Sequence, residues 1–97
     1  MDNTDTNVAW AVQKLQSLAH LRGYPPNGES LKLVARSFLR IVHNKPVKYK
    51  GEEVNDAEKL IELCGDTCEF FPAPIQMRRI YSQYAKPATE VTEGDGA

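Results

Sequence analysis

Apolar residues along the chain fall into four stripes at helical spacing. Val8, Ala11, Val12, Leu15, Leu18 and Ala19 share one face, the recurrence that marks an amphipathic helix. Asp5, Thr6 or Asn7 stands where a cap belongs, and Gly23 with Pro25 and Pro26 closes the segment. Trp10, Lys14 and Leu21 lie off the stripe. An exposed tryptophan there would be a contact candidate, whereas a wide core face would bury it. The second stripe is Leu31, Val34, Ala35, Phe38, Ile41 and Val42. It follows the turn signal Pro26-Asn27-Gly28, with Asn27 or Ser30 as its cap, and it ends at Asn44 and Pro46. The third, Ala57, Leu60, Ile61, Cys64, Cys68 and Phe71, opens on Asn55-Asp56-Ala57-Glu58, close to a capping box. Gly65 weakens it by about 1 kcal/mol relative to alanine and marks a place to bend or end. Met77, Ile80, Tyr81 and Tyr84 form the fourth stripe.

The stretch EFFPAPIQMRRIYSQY, residues 69–84, separates the last two stripes. Proline inside a helix costs ~3 kcal/mol but little at the first helical position. Pro72 therefore ends the third helix and Pro74 begins the fourth. The motif fixes a corner between two helices, where Phe70 and Phe71 pack and Phe71 is expected to be buried. Residues 45–54, KPVKYKGEEV, fit no helical period. Val47 and Tyr49 alternate with lysines as in a short strand, but the segment reads better as a loop. The pattern thus predicts an all-α fold, a small compact bundle of about four helices over residues 7–22, 28–43, 55–69 and 74–85. Residues 1–6 form a flexible N-terminus. Residues 86–97, KPATEVTEGDGA, have almost nothing to bury and are expected to form a disordered tail.

Composition adds limits rather than identity. Ninety-seven residues suffice for a single small domain, and 41% hydrophobic with 26% charged residues suits an ordinary globular chain. No apolar run approaches the ~18 residues of a membrane span. The start, MDNTDTNVAW, carries acids where a signal peptide carries lysines. A cytoplasmic protein with no membrane contact is the expectation.

Net charge is −1, without the basic excess of a general nucleic-acid binder. The charges are nevertheless segregated. Residues 31–50 hold Lys32, Arg36, Arg40, Lys45, Lys48 and Lys50 and no acid, and Lys32, Arg36, Arg40 and His43 share a helical face. These are candidate contacts to a phosphate backbone, to be weighed against a plain solvated face. Residues 51–69 hold seven acids against Lys59, of which Glu58, Glu62, Asp66 and Glu69 share a face. A row of glutamates on an amphipathic helix reads as solvated surface rather than an acid/base cluster.

Candidate chemistry is sparse. On one helix face Cys64 and Cys68 would hold their Cβ atoms ~5–6 Å apart, beyond the ~3.5–4.5 Å of a disulfide. His20 and His43 lack zinc-finger spacing to them. Two buried thiols acting as small apolar groups fit better than a metal site. No phosphate loop, serine elbow or oriented Cys-His pair is present. The chain therefore reads as a non-enzyme with no metal and no cofactor. Arg78 and Arg79 sit in the first turns of the fourth helix, where the helix dipole does not favour them. Together with Tyr84 they are candidate partner-binding residues. At least Arg79 is expected to point outward; the alternatives are solubility and an ion pair with the acids of the third helix.

The order of features resembles a known family. A first helix leads into LAHLRGYPP (Leu18 to Pro26), a second amphipathic helix follows, and a third runs into Phe71-Pro72-Ala73-Pro74-Ile75 with Arg78 beyond. This is similar to the phage replicative-helicase loader/inhibitor family and related prophage replication accessory proteins, over about residues 8–84. The resemblance implies a small, helical, non-enzymatic protein that binds a partner ATPase, a hexameric replicative helicase, and implies no catalytic residue. The chain departs from the family in lacking a tryptophan early in the second helix. Its C-terminal tail is also only about a dozen residues, whereas the family's helicase contacts lie largely in such a segment.

Overall fold

A computed structural model describes residues 1–85. Four helices, α1 (Asp5–Leu15), α2 (Gly28–Ile41), α3 (Asp56–Thr67) and α4 (Pro74–Tyr84), surround one core. The fold is mostly helical but not all-α. Between α2 and α3 the chain forms an antiparallel hairpin, β1 (Pro46–Tyr49) and β2 (Glu52–Asn55), with Val47 opposite Val54 and Tyr49 opposite Glu52. The segment read as a loop is therefore a sheet. Its two-residue turn, Lys50-Gly51, has both φ angles positive, at 52° and 87°, which matches the right-handed twist of the strands.

Each helix starts where its capping chemistry allows. Thr4, rather than Asp5, Thr6 or Asn7, caps α1 by accepting the Asn7 N–H, so the helix opens two residues earlier than the stripe predicts. The N-terminal ammonium group ahead of it donates to the Leu39 carbonyl at 2.9 Å. Asn27 caps α2 through the Ser30 N–H, and Asn55 caps α3 through the Ala57 and Glu58 N–H groups. Pro74 opens α4, and the Gln76 side chain reaches back to accept the Ala73 N–H at 3.0 Å.

The first helix does not run to residue 22. It ends at Leu15 and tightens into a 3-10 turn over Gln16–Leu18. Leu15, Leu18 and Leu21 are all buried. Steps of three suit a 3-10 turn, so the apolar spacing continues after the α-helix has stopped. α2 ends at Ile41 and α3 at Thr67, each two residues before the expected end. Gly65 does not break α3. A Cβ there would meet Leu18 Cδ2 at 3.5 Å, an ordinary contact with the 3-10 turn.

Phe38, Leu15, Leu18, Leu39, Leu60 and Met77 are fully buried at the centre. Trp10 is half-buried against Phe38, with ring centroids 6.1 Å apart, so the core face is indeed wide. Phe71 is not buried as expected. It is half-buried, its ring set edge-on to Tyr24 at 5.6 Å, while Pro72 takes the interior position. Cys64 is buried and Cys68 half-buried, and both are free thiols. The predicted tail lies outside the described residues. No helix among those residues is long and apolar enough to cross a membrane.

Candidate protein-binding surface at the proline corner

Two sequence segments far apart in the chain meet at the corner between α3 and α4. The Arg22 N–H donates to the Glu69 carbonyl at 3.4 Å, and the Phe71 N–H donates to the Arg22 carbonyl at 2.6 Å. These bonds form a one-residue parallel bridge between Arg22 and Phe70. The RGYPP turn thus clamps the FFPAP corner, with Tyr24 on Phe71 behind it. Pro72 and Pro74 fix their own φ angles, so the corner is stiff on both sides of Ala73.

This clamp leaves large apolar groups in water. Phe70 is 57% exposed and Ile75 65% exposed, and Leu33 on α2, at 62%, is the third such residue of the described chain. The Arg22 guanidinium lies 6.0 Å from the Phe70 ring centroid. Arg78 and Arg79, on the first turns of α4, are both exposed. Among the described residues neither pairs with a carboxylate; the ion pairs there are Lys14 with Glu58 and Lys59 with Glu62. Arg22 is thus placed beside Phe70 at the stiff corner, while Ile75, Arg78 and Arg79 are exposed on the first turns of α4 that the corner leads into.

Tyr84, the third candidate, is half-buried instead. Its hydroxyl donates to the Asp56 carbonyl at 2.8 Å and its ring meets Tyr49 edge-on at 6.0 Å. It lines a groove of about 420 Å³ with Tyr49, Leu63, Thr67, Ile80 and Gln83. Lys59 covers the Tyr49 ring at 4.4 Å from its centroid.

Asp56 organises the opposite end of α3, and the pattern of stripes gives it no role beyond the start of that helix. Its carboxylate is fully buried and accepts the His43 N–H (2.7 Å), the Lys45 N–H (2.9 Å) and the Tyr81 hydroxyl (2.8 Å). The acid thereby ties the α2–β1 turn to α3 and α4. Burial, reinforced by the hydrogen bond to this carboxylate, pushes the Tyr81 hydroxyl above its ordinary range. Tyr84 rises by burial first and the neighbouring Tyr81 second. Burial also pushes the Cys64 thiol up to about 12, which leaves it a poor nucleophile. Only its place beside the helix cap, where an acid suits the N-terminal dipole, hinted at a role for Asp56.

The basic candidates Lys32, Arg36, Arg40, Lys45, Lys48 and Lys50 are all exposed. Glu58, Glu62, Asp66 and Glu69 are exposed as well. Among the described residues no three His, Cys, Asp or Glu side chains gather as a metal set would. Comparison with protein-family models, curated proteins and solved structures returns no match.

Proposed function

We propose that the chain is a non-enzymatic replication accessory protein that binds a partner ATPase such as a replicative helicase, and that the proline corner is its contact surface. The observation that supports this reading is the exposure of Phe70 and Ile75 at a stiff corner, with Arg22 beside Phe70 and Arg78 and Arg79 exposed on the helix that follows. Exposed aromatic and arginine side chains are the groups that dominate binding energy in protein contacts. Leaving two large apolar groups in water returns nothing to the fold, whereas burying them against a partner removes that surface from solvent. The arginines, unpaired among the described residues, call for a partner face that is apolar at its centre and acidic at its edge. The family resemblance carried by the same two segments points to a hexameric helicase.

The test is binding of the purified chain to the hexameric replicative helicase of its own host, followed by sedimentation. The parent is expected to co-sediment. Arg78→Ala with Arg79→Ala, and separately Phe70→Ser with Ile75→Ser, should each weaken binding at least about tenfold without lowering the melting temperature by more than a few degrees. Parent-like binding by both variants, or no binding by the parent, would refute the reading.

A further inference from the structure

We propose a second binding site on a different surface: an arc of cations running from α2 onto the hairpin that holds the phosphate backbone of nucleic acid without reading its bases. Lys32, Arg36 and Arg40 stand at successive steps of four on the exposed side of α2, so their attachment points rise by about 6 Å each along one side of the helix. Beyond the helix end the charges continue through Lys45 to Lys48. Burial alternates along β1, and Lys48 lies on its outer face while Val47 and Tyr49 face inward. Lys50 follows in the turn.

The bend that carries the arc from helix to hairpin is built rather than loose. Asn44 adopts a positive φ of 54°, and its side chain accepts a 2.9 Å hydrogen bond from Asn55. The backbone N–H groups on either side, of His43 and Lys45, both end on the buried Asp56 carboxylate. The two halves of the arc are therefore held in fixed relation, and a polyanion meets cations already in place.

Pairing sets these residues apart. Lys14 and Lys59 each hold an ion pair, whereas none of the six cations of the arc does among the described residues. Acids stand among the cations of the arc. Glu29 opens α2, Asp5 shares the α1–α2 cleft with Lys32 and Arg36, and Glu53 stands opposite Lys48 in the hairpin. They lower the local potential and hold the affinity in the range of sequence-independent binding, a Kd of roughly 10⁻⁴ to 10⁻⁶ M at physiological salt. Leu33, exposed on the same side of α2, supplies no hydrogen bond to a base edge.

The experiment is fluorescence anisotropy of labelled duplex and single-stranded DNA of arbitrary sequence, titrated with the whole chain across a salt series. Three to four phosphate contacts give a slope of log K against log salt of roughly −3 to −4 on duplex, and less on single strands. Lys32→Ala with Arg36→Ala and Arg40→Ala should cut affinity at least tenfold and flatten the slope by about 2–3. Lys45→Gln with Lys48→Gln should act in the same direction. Lys14→Ala with Lys59→Ala should leave binding unchanged, as should Phe70→Ser with Ile75→Ser, which keeps this site distinct from the corner. Circular dichroism checks each fold, and Arg36→Gln alone replaces the triple variant if that unfolds. The proposal fails if the parent does not bind at low salt, if the slope is near zero, or if the paired-lysine variant loses as much as the arc variant. Equal binding to poly-glutamate would also overturn it, because the site would then recognise charge alone.

Discussion

Asp56 shows how a single buried charge is made tolerable. A carboxylate out of water is costly unless its oxygens are satisfied, and here three donors converge on it while the α3 N-terminus lies beside it. Removing the acid strands two backbone N–H groups and a hydroxyl in the interior. Asp56→Ala should therefore destabilise the fold by about 3–5 kcal/mol, a melting-temperature loss of well over 10 °C for a domain of this size. Tyr81→Phe removes one of the three donors and should cost about 1–2 kcal/mol. Urea unfolding measures both, and a change below about 1 kcal/mol for Asp56→Ala would show that the network is not structural.

The same neighbourhood sets an alkaline limit. Tyr81, Tyr84 and Cys64 all hold their protons more tightly in the folded chain than at their ordinary values of 10.0, 10.0 and 9.0. Above those values the unfolded chain has released protons that the folded chain keeps, so stability falls as pH rises. Below pH ~9 the contribution is complete, and it is lost progressively above that. Urea midpoints should stay level between pH 7 and 8.5 and drop between pH 9.5 and 11. Tyr81→Phe should make that drop shallower; midpoints that stay flat to pH 11 would contradict the assignment.

At the scale of elements, tertiary contact settles what local pattern leaves open. α2 is legible because its apolar residues and its cap agree: of its stripe Leu31, Ala35, Phe38, Ile41 and Val42 are buried and Val34 is half-buried. The hairpin was not, since each strand has four residues and its turn is Lys-Gly rather than the familiar Asn-Gly. Its inward side chains, Val47, Tyr49 and Val54, are too few to outweigh the lysines around them. Gly65 sits inside α3 without a positive φ, and the space beside it takes a methyl group in ordinary contact with Leu18. Gly65→Ala should therefore stabilise the protein by about 0.5–1 kcal/mol, read as a higher urea midpoint. A lower midpoint would mean that the 3-10 turn cannot accept the methyl. Phe71, half-buried against Tyr24, should cost about 2–3 kcal/mol on truncation to alanine, less than the ~3–5 of a full core position.

For the whole molecule, the sequence revealed the corner but not the clamp. Prolines announce a helix boundary through the chain's own stereochemistry, so Pro72 and Pro74 could be placed from the residues alone. Nothing local says that Arg22 pairs with Phe70, or that Phe70 faces water while Pro72 is buried. Arg79, expected to point outward, is exposed, and so is Arg78; Tyr84 keeps to the inward stripe of α4, where the backbone carbonyl of Asp56 accepts its hydroxyl. If the corner is where the partner sits, Phe70 and Leu33 offer a matched pair for testing it. Both are large apolar residues of similar exposure, 57% and 62%, one at the corner and one on α2. The measurement is photocrosslinking to the host helicase with p-benzoylphenylalanine introduced once as Phe70→p-benzoylphenylalanine and once as Leu33→p-benzoylphenylalanine. A crosslinked product from position 70 and none from position 33 is the expected result. A product from position 33 alone, or from neither position, would show that the partner does not sit at the corner.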